Sequence, residues 1–193
     1  MSSLKRSLIQ LHVFVFLAGL TAPLGNLIQL NGLYIVFYRI LLTVLALFPI
    51  YFFHRQPNKV SLKEKGWLML IGVLISIHWV CFYGSIKLAN VSVALVAMST
   101  GALFTSIIEP IFFKRKLIIL ELFFGLIVIS GLYLIFNFET EYTLGIIYAL
   151  IAAFLSAVFT VLNGLYIKEH DAEVISIYQL FFGVLFRCEI TAN

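Results

Sequence analysis

The sequence predicts an all-α integral membrane protein with six complete transmembrane helices and a partial seventh, drawn from a ten-helix fold of two inverted five-helix repeats. Three observations lead there. Of the 193 residues, 62% are hydrophobic and 11% charged, with mean hydropathy +1.07, where soluble domains run at about 45–50% and about 25%. A soluble globule of this size would carry large apolar patches, so lipid is the solvent for most of these side chains. Soluble-enzyme and nucleic-acid-binding functions fit poorly. The second observation is that the apolar residues come in runs near the about 20 residues a spanning helix needs. The third is that parts of the chain recur after an odd number of such runs.

In order, the runs cover 8–28, 33–53, 67–86, 91–113, 117–136 and 143–167, followed by a stub at 174–186. The stub's 13 residues fall short of a bilayer. A closed barrel is excluded, because its strands would alternate polar and apolar residues and these runs are apolar on every face. Lys5 and Arg6 precede the first run as in a signal peptide. That run is too long for a signal core, Pro23 follows its small-residue pair, and further spans come after it, so it reads as an uncleaved helix. Cys81 within a span and Cys188 near the end make neither a disulfide framework nor a cysteine metal site.

Orientation follows from lysines and arginines in the short loops. A cytoplasmic N-terminus puts Lys5, Arg6, Arg55, Lys59, Lys63, Lys65, Lys114, Arg115, Lys116 and Lys168 inside, ten of thirteen. Lys87 and Arg187 fall outside, with the acidic turn around Glu139 and Glu141, and Arg39 lies within a helix. The location this implies is the cell (plasma or inner) membrane, multi-pass, with a cytoplasmic N-terminus.

Self-similarity sets the architecture. Residues 37–45, Phe-Tyr-Arg-Ile-Leu-Leu-Thr-Val-Leu, resemble 177–185, Ile-Tyr-Gln-Leu-Phe-Phe-Gly-Val-Leu, at a shift of 140. Asn31-Gly32-Leu33-Tyr34 recurs as Asn163-Gly164-Leu165-Tyr166. Five helices fit in that interval, and an odd number turns the second copy upside down, the construction of many secondary transporters. Residues 1–137 then form a first repeat and 138–193 the start of a second, which breaks off inside its second helix. The expectation is a truncated form, whose missing helices a second copy of the chain or a partner protein would supply.

The stretch from Tyr83-Gly84-Ser85-Ile86-Lys87-Leu88-Ala89-Asn90 through Val91-Ser92-Val93-Ala94-Leu95-Val96, with Ile108-Glu109-Pro110 and Lys114-Arg115-Lys116, resembles the third-to-fourth helix signature of the EamA family in the drug/metabolite transporter superfamily. Tyr38-Arg39 is similar to that family's second-helix start, and 125–134 to its fifth helix. The resemblance implies ten helices around a central cavity and alternating access for small metabolites, often amino acids or related compounds moving outward. Where many members carry a Gly-Glu pair at the end of the fourth helix, this chain has Lys114-Arg115.

Ionisable groups inside a bilayer are costly and so need a reason. Arg39 lies six residues inside the second run, about 9 Å deep at 1.5 Å per residue. It either snorkels to the interface or grips an anionic group of a substrate with its fork of donors; Gln179 is its polar counterpart in the repeat. His78, Trp79 and Tyr83 in the third run are further candidates for contact with substrate, with Ser76 sharing a face with Tyr83. Ser99, Thr100 and Gly101 at the middle of the fourth run either permit close packing or face the pathway, with Gly101 letting the helix unwind to expose carbonyls. Glu109 before Pro110 either pairs with Lys114 or another interfacial base, or serves gating or proton coupling beside a proline hinge.

No catalytic set of the soluble type is legible: no Gly-rich phosphate loop ending in lysine, no histidine pair at metal spacing, no serine elbow with a base. Neither enzyme activity, a cofactor nor a metal is expected. The partners expected are the lipid bilayer and a small-molecule substrate, with no nucleic acid. The leading function is a small-metabolite transporter; the alternative is a non-transporting membrane scaffold that supplies helices to a complex.

Overall fold

The computed structural model describes residues 3–53, 60–138 and 140–192, so Arg55, Lys59 and Glu139 lie outside the described residues. The described chain is helical throughout: α1 (Ser3–Leu27), α2 (Gly32–Phe53), α3 (Leu62–Leu88), α4 (Val91–Met98), α5 (Gly101–Phe113), α6 (Ile119–Phe138), a 3₁₀ turn at Thr140–Tyr142, α7 (Thr143–Tyr166) and α8 (Ala172–Ala192). Because α4 and α5 are two halves of one span, these eight helices make seven rods.

The packing centres on α7, which lies against α3, α5 and α4. Most of its buried stripe is small, Gly145, Ala149, Ala152, Ala153 and Ala157, with Ile146, Val161 and Leu162 as the larger buried residues. Residues three and four apart share a helix face, and small side chains there let backbones approach in lipid. At Gly145 the approach demands glycine, since a Cβ would stand 2.6 Å from the Cβ of Ala89. On the other side of α3, α8 crosses at Gly72, where any side chain would run into the backbone carbonyl of Gln179. Ser76 turns towards this crossing, bonding the Gly72 carbonyl at 2.9 Å and lying close to Gly183. The periphery is looser. In α1 the buried positions are Ala22 and Gly25, and its remaining apolar side chains face outwards as lipid requires. Its C-terminal carbonyls are closed by Lys87, whose Nζ donates to Asn26 and Ile28 at 3.3 and 3.1 Å.

Two helix bounds differ from the sequence reading, those of α8 and α3. Among the described residues five helices are long and apolar enough to cross a membrane: Leu4–Leu27, Gly32–Pro49, Leu62–Leu88, Val91–Phe113 and Thr143–Tyr166. The expected span at 117–136 corresponds to α6, a 20-residue helix that starts at Ile119 after Lys114, in a left-handed conformation (φ 51°), ends α5. The stub of 13 residues is part of a 21-residue helix, α8. Hydropathy falls after residue 186, but nothing there breaks a helix, and hydropathy measures affinity for lipid rather than helicity. Lastly, α3 begins five residues before the expected span. Ser61 and Glu64 form a capping box, with Ser61 N–H donating to Glu64 Oε2 at 2.6 Å and Ser61 Oγ accepting from Glu64 N–H at 3.3 Å.

Candidate functional site

Between α1, α2, α3, α4 and α7 lies a cavity of about 660 Å³, within the range typical of small-molecule sites. Its polar centre is Arg39, half-buried on α2. Trp79 and Tyr83 are one helical turn apart on α3 and hold the guanidinium together: Nη1 donates to Tyr83 Oη at 2.8 Å, and Cζ stands 4.0 Å above the Trp79 ring. Stacking on indole and a single bond to a neutral hydroxyl leave the fork a permanent cation with donors to spare. The Tyr83 ring in turn fills the space over Gly25, where a Cβ would collide with it.

His78 and Phe82 repeat the four-residue spacing one position over. Their rings lie parallel with centroids 6.3 Å apart, and Phe159 meets His78 edge-on at 5.3 Å. His78 is 8% exposed, and its Nδ1–H donates to the Ala152 carbonyl at 2.7 Å. Since a carbonyl accepts only, the neutral ring carries its acceptor at Nε2. Thr21, Ser156 and Thr160 add hydroxyls to the wall, and Phe14, Leu17, Leu95 and Met98 add apolar surface. The cavity therefore offers one cation and a few neutral polar groups in an apolar, aromatic shell.

Of the residues singled out from the sequence, Arg39, His78, Trp79 and Tyr83 line this cavity together; Ser99, Thr100, Glu109 and Pro110 do not. The fourth span breaks at Ser99–Thr100 into α4 and α5 without unwinding, both residues keeping right-handed helical angles. The carbonyls that the break would expose are covered, because Ser99 Oγ donates to Val96 at 2.6 Å and Thr100 Oγ1 to Ala97 at 2.7 Å. Thr100 is buried, and Gly101 faces the backbone of Ala153 on α7. α5 runs through Pro110, whose carbonyl accepts from Arg115 N–H at 3.2 Å. Glu109 pairs with Arg115 at 2.9 Å rather than with Lys114, both side chains being well exposed.

Gln179, the counterpart of Arg39, is 3% exposed and lies outside the Arg39 cavity. Its Nε2 donates to Asn163 Oδ1 at 2.5 Å beside a smaller cavity of about 310 Å³. Sequence reading missed Asn163 as its partner, although both residues appear in the repeat alignment.

The model of the EamA-like transporter family matches residues 6–137 of this chain, more than half its length. The chain belongs to the EamA-like transporter family. It is thereby a multi-pass membrane protein of the drug/metabolite transporter type, from a family of transporters rather than enzymes. No curated relative and no solved structure matches it. The matched region contributes Arg39, His78, Trp79 and Tyr83 to the cavity of this EamA-like protein, while Ser156, Phe159 and Thr160 come from beyond it.

Proposed function

We propose that this protein carries small metabolites with an anionic group and an apolar body, amino acids and related compounds among them, outward across the cell membrane by alternating access. The single observation that carries this reading is the cavity itself: a permanent cation with unused donors, held at the wall of an apolar chamber sized for a small molecule. Arg39 would take the anionic group as a bidentate pair, His78 Nε2 would accept from a substrate N–H, and the aromatic rings would cover the apolar part. Residues 1–137 would act as one repeat and those from 138 as the start of an inverted second. In support, α2 and α8 begin at Gly32 and Ala172, the same shift of 140 seen in the sequence.

The test is substrate affinity at equal membrane abundance for wild type, Arg39→Lys and Arg39→Gln, read as counterflow of amino acids and other small carboxylates in vesicles. Loss of roughly 10- to 100-fold in both variants is expected, the scale of a charge-assisted hydrogen bond of about 1.5–3 kcal/mol. Wild-type affinity in both would reduce Arg39 to a snorkelling anchor. Cysteines placed at Thr21, Ser156 and Thr160 should react with water-soluble thiol reagents; silence at all three would favour the scaffold alternative. The cytoplasmic N-terminus is checked by reporters after Lys65 or Lys116, which should read cytoplasmic, and near Glu141, which should read external.

A further inference from the structure

We infer that the Arg39 cavity selects net monoanions, organic carboxylates with an apolar or aromatic body and no ammonium group, over the zwitterionic amino acid of the same skeleton. This preference rests on the reading of the cavity as the substrate site. It follows from a countercharge that the surrounding helices do not supply. The chain has nine acidic residues, and none lies in α1, α2, α4 or α7. The fifth lining helix, α3, has one, Glu64, fourteen residues before His78, or about 21 Å along the axis at 1.5 Å per residue. That carboxylate is engaged elsewhere, with Oε1 2.9 Å from His170 Nε2 and Oε2 accepting from Ser61 N–H at 2.6 Å. Among the described residues that line the cavity, Arg39 is the one permanently charged side chain.

Charges inside a membrane protein are ordinarily paired with one another. Arg39 has a neutral hydroxyl and an indole face instead, so its charge is balanced only by what enters the cavity. A carboxylate completes a neutral pair. A zwitterion completes the same pair but leaves an ammonium over, one carbon from the carboxylate and therefore close to the guanidinium, and a buried charge without a partner is costly. The rings do not replace the missing acid. Trp79 already faces the guanidinium at 4.0 Å, and a second cation there would meet a like charge. His78 Nε2 and the hydroxyls of Thr21, Ser156 and Thr160 can accept from an uncharged N–H or O–H of the substrate, but none carries the negative charge that an ammonium needs. The size of the cavity, about 660 Å³ with Phe82 and Phe159 in its wall, leaves room for a ring beyond the carboxylate.

The experiment measures binding to the purified full chain in detergent by calorimetric titration. Trp67→Phe leaves Trp79 as the only tryptophan, and its fluorescence shows that the probe lies beside Arg39. Four related probes are compared at neutral pH: phenylpropionate as anion, phenylalanine as zwitterion, phenylpropanamide as neutral molecule and phenethylamine as cation. Phenylpropionate should bind at least ~10-fold more tightly than phenylalanine and more tightly than the amide, with the amine weakest. The amide separates charge from hydrophobicity, because an apolar wall alone would favour it over the carboxylate. Arg39→Gln should remove the advantage of the carboxylate over the amide. Phenylalanine binding as tightly as phenylpropionate, or the amide ahead of the carboxylate, would overturn the preference. Binding of none of the four would remove the cavity as substrate site and the preference with it. Binding in the expected order without counterflow in vesicles would count against transport alone and leave the preference standing.

Discussion

Arg39 and Gln179 occupy the same place in their helices, each the eighth residue of its own, α2 and α8. Their surroundings have nothing else in common. Arg39 is half-buried at the wall of a cavity of about 660 Å³, whereas Gln179 is 3% exposed and spends its amide on Asn163. The residues opposite make the difference. Trp79 and Tyr83 put large rings between α3 and the arginine. Gly72 lets α8 drop onto the backbone of α3 until no side chain fits between. Position along a helix sets depth in the membrane; the size of the facing residue decides whether a polar group at that depth meets a ligand or another side chain.

The sharpest way to break this contrast is Gly72→Ala. Its methyl would meet backbone, which cannot rotate away, so a loss of about 2–3 kcal/mol or more is expected, seen as a lower Tm in detergent and lower membrane abundance. Unchanged stability would mean that α8 is free to retreat from α3. Next comes the amide pair. Gln179→Leu leaves the half-buried Asn163 side chain without its partner and should cost about 1–2 kcal/mol. Adding Asn163→Leu should recover most of the loss, because replacing both partners removes the orphan. A double variant as unstable as the sum of the singles would argue against pairing.

Smaller effects are expected around Arg39. Tyr83→Phe removes one acceptor but leaves the Trp79 stack, so stability should fall by about 1 kcal/mol or less while substrate affinity falls a few-fold. Gly25→Ala should do likewise, because its methyl meets a tyrosine ring that can turn aside and take its hydroxyl from the arginine. A stability loss in Gly25→Ala as large as in Gly72→Ala would remove the distinction between a side-chain and a backbone neighbour.

Much of the site was legible in order but not in association. The four-residue spacings 78/82 and 79/83 on one apolar run already place two aromatic pairs on adjacent faces, and a buried arginine asks for partners. That Tyr83 and Trp79 are those partners could not be read, because Arg39 is 44 residues from Tyr83. The box formed by Ser61 and Glu64 was open to reading as S-x-x-E before an apolar run, and would have started α3 earlier. Ser99 and Thr100 stay open to two readings in the sequence, because a hydroxyl in mid-span can face a pathway or its own helix. Here both bond backward to carbonyls three residues earlier.

Composition and run length were enough to establish a helical membrane protein, since lipid leaves backbone groups no partner outside the helix and demands apolar side chains along every lipid-facing surface. The asymmetry of lysine and arginine and the recurrence at 140 residues are likewise properties of order along the chain. Which helices touch, how closely, and where space remains are different in kind. They depend on pairs such as Gly72 with Gln179, Tyr83 with Gly25 and Glu64 with His170, which lie 58 to 107 residues apart. In a chain apolar on nearly every face, periodicity cannot single out the packed side of a helix. Steric fit between distant residues makes that choice, and with it the cavity and the contact of Glu64 with His170.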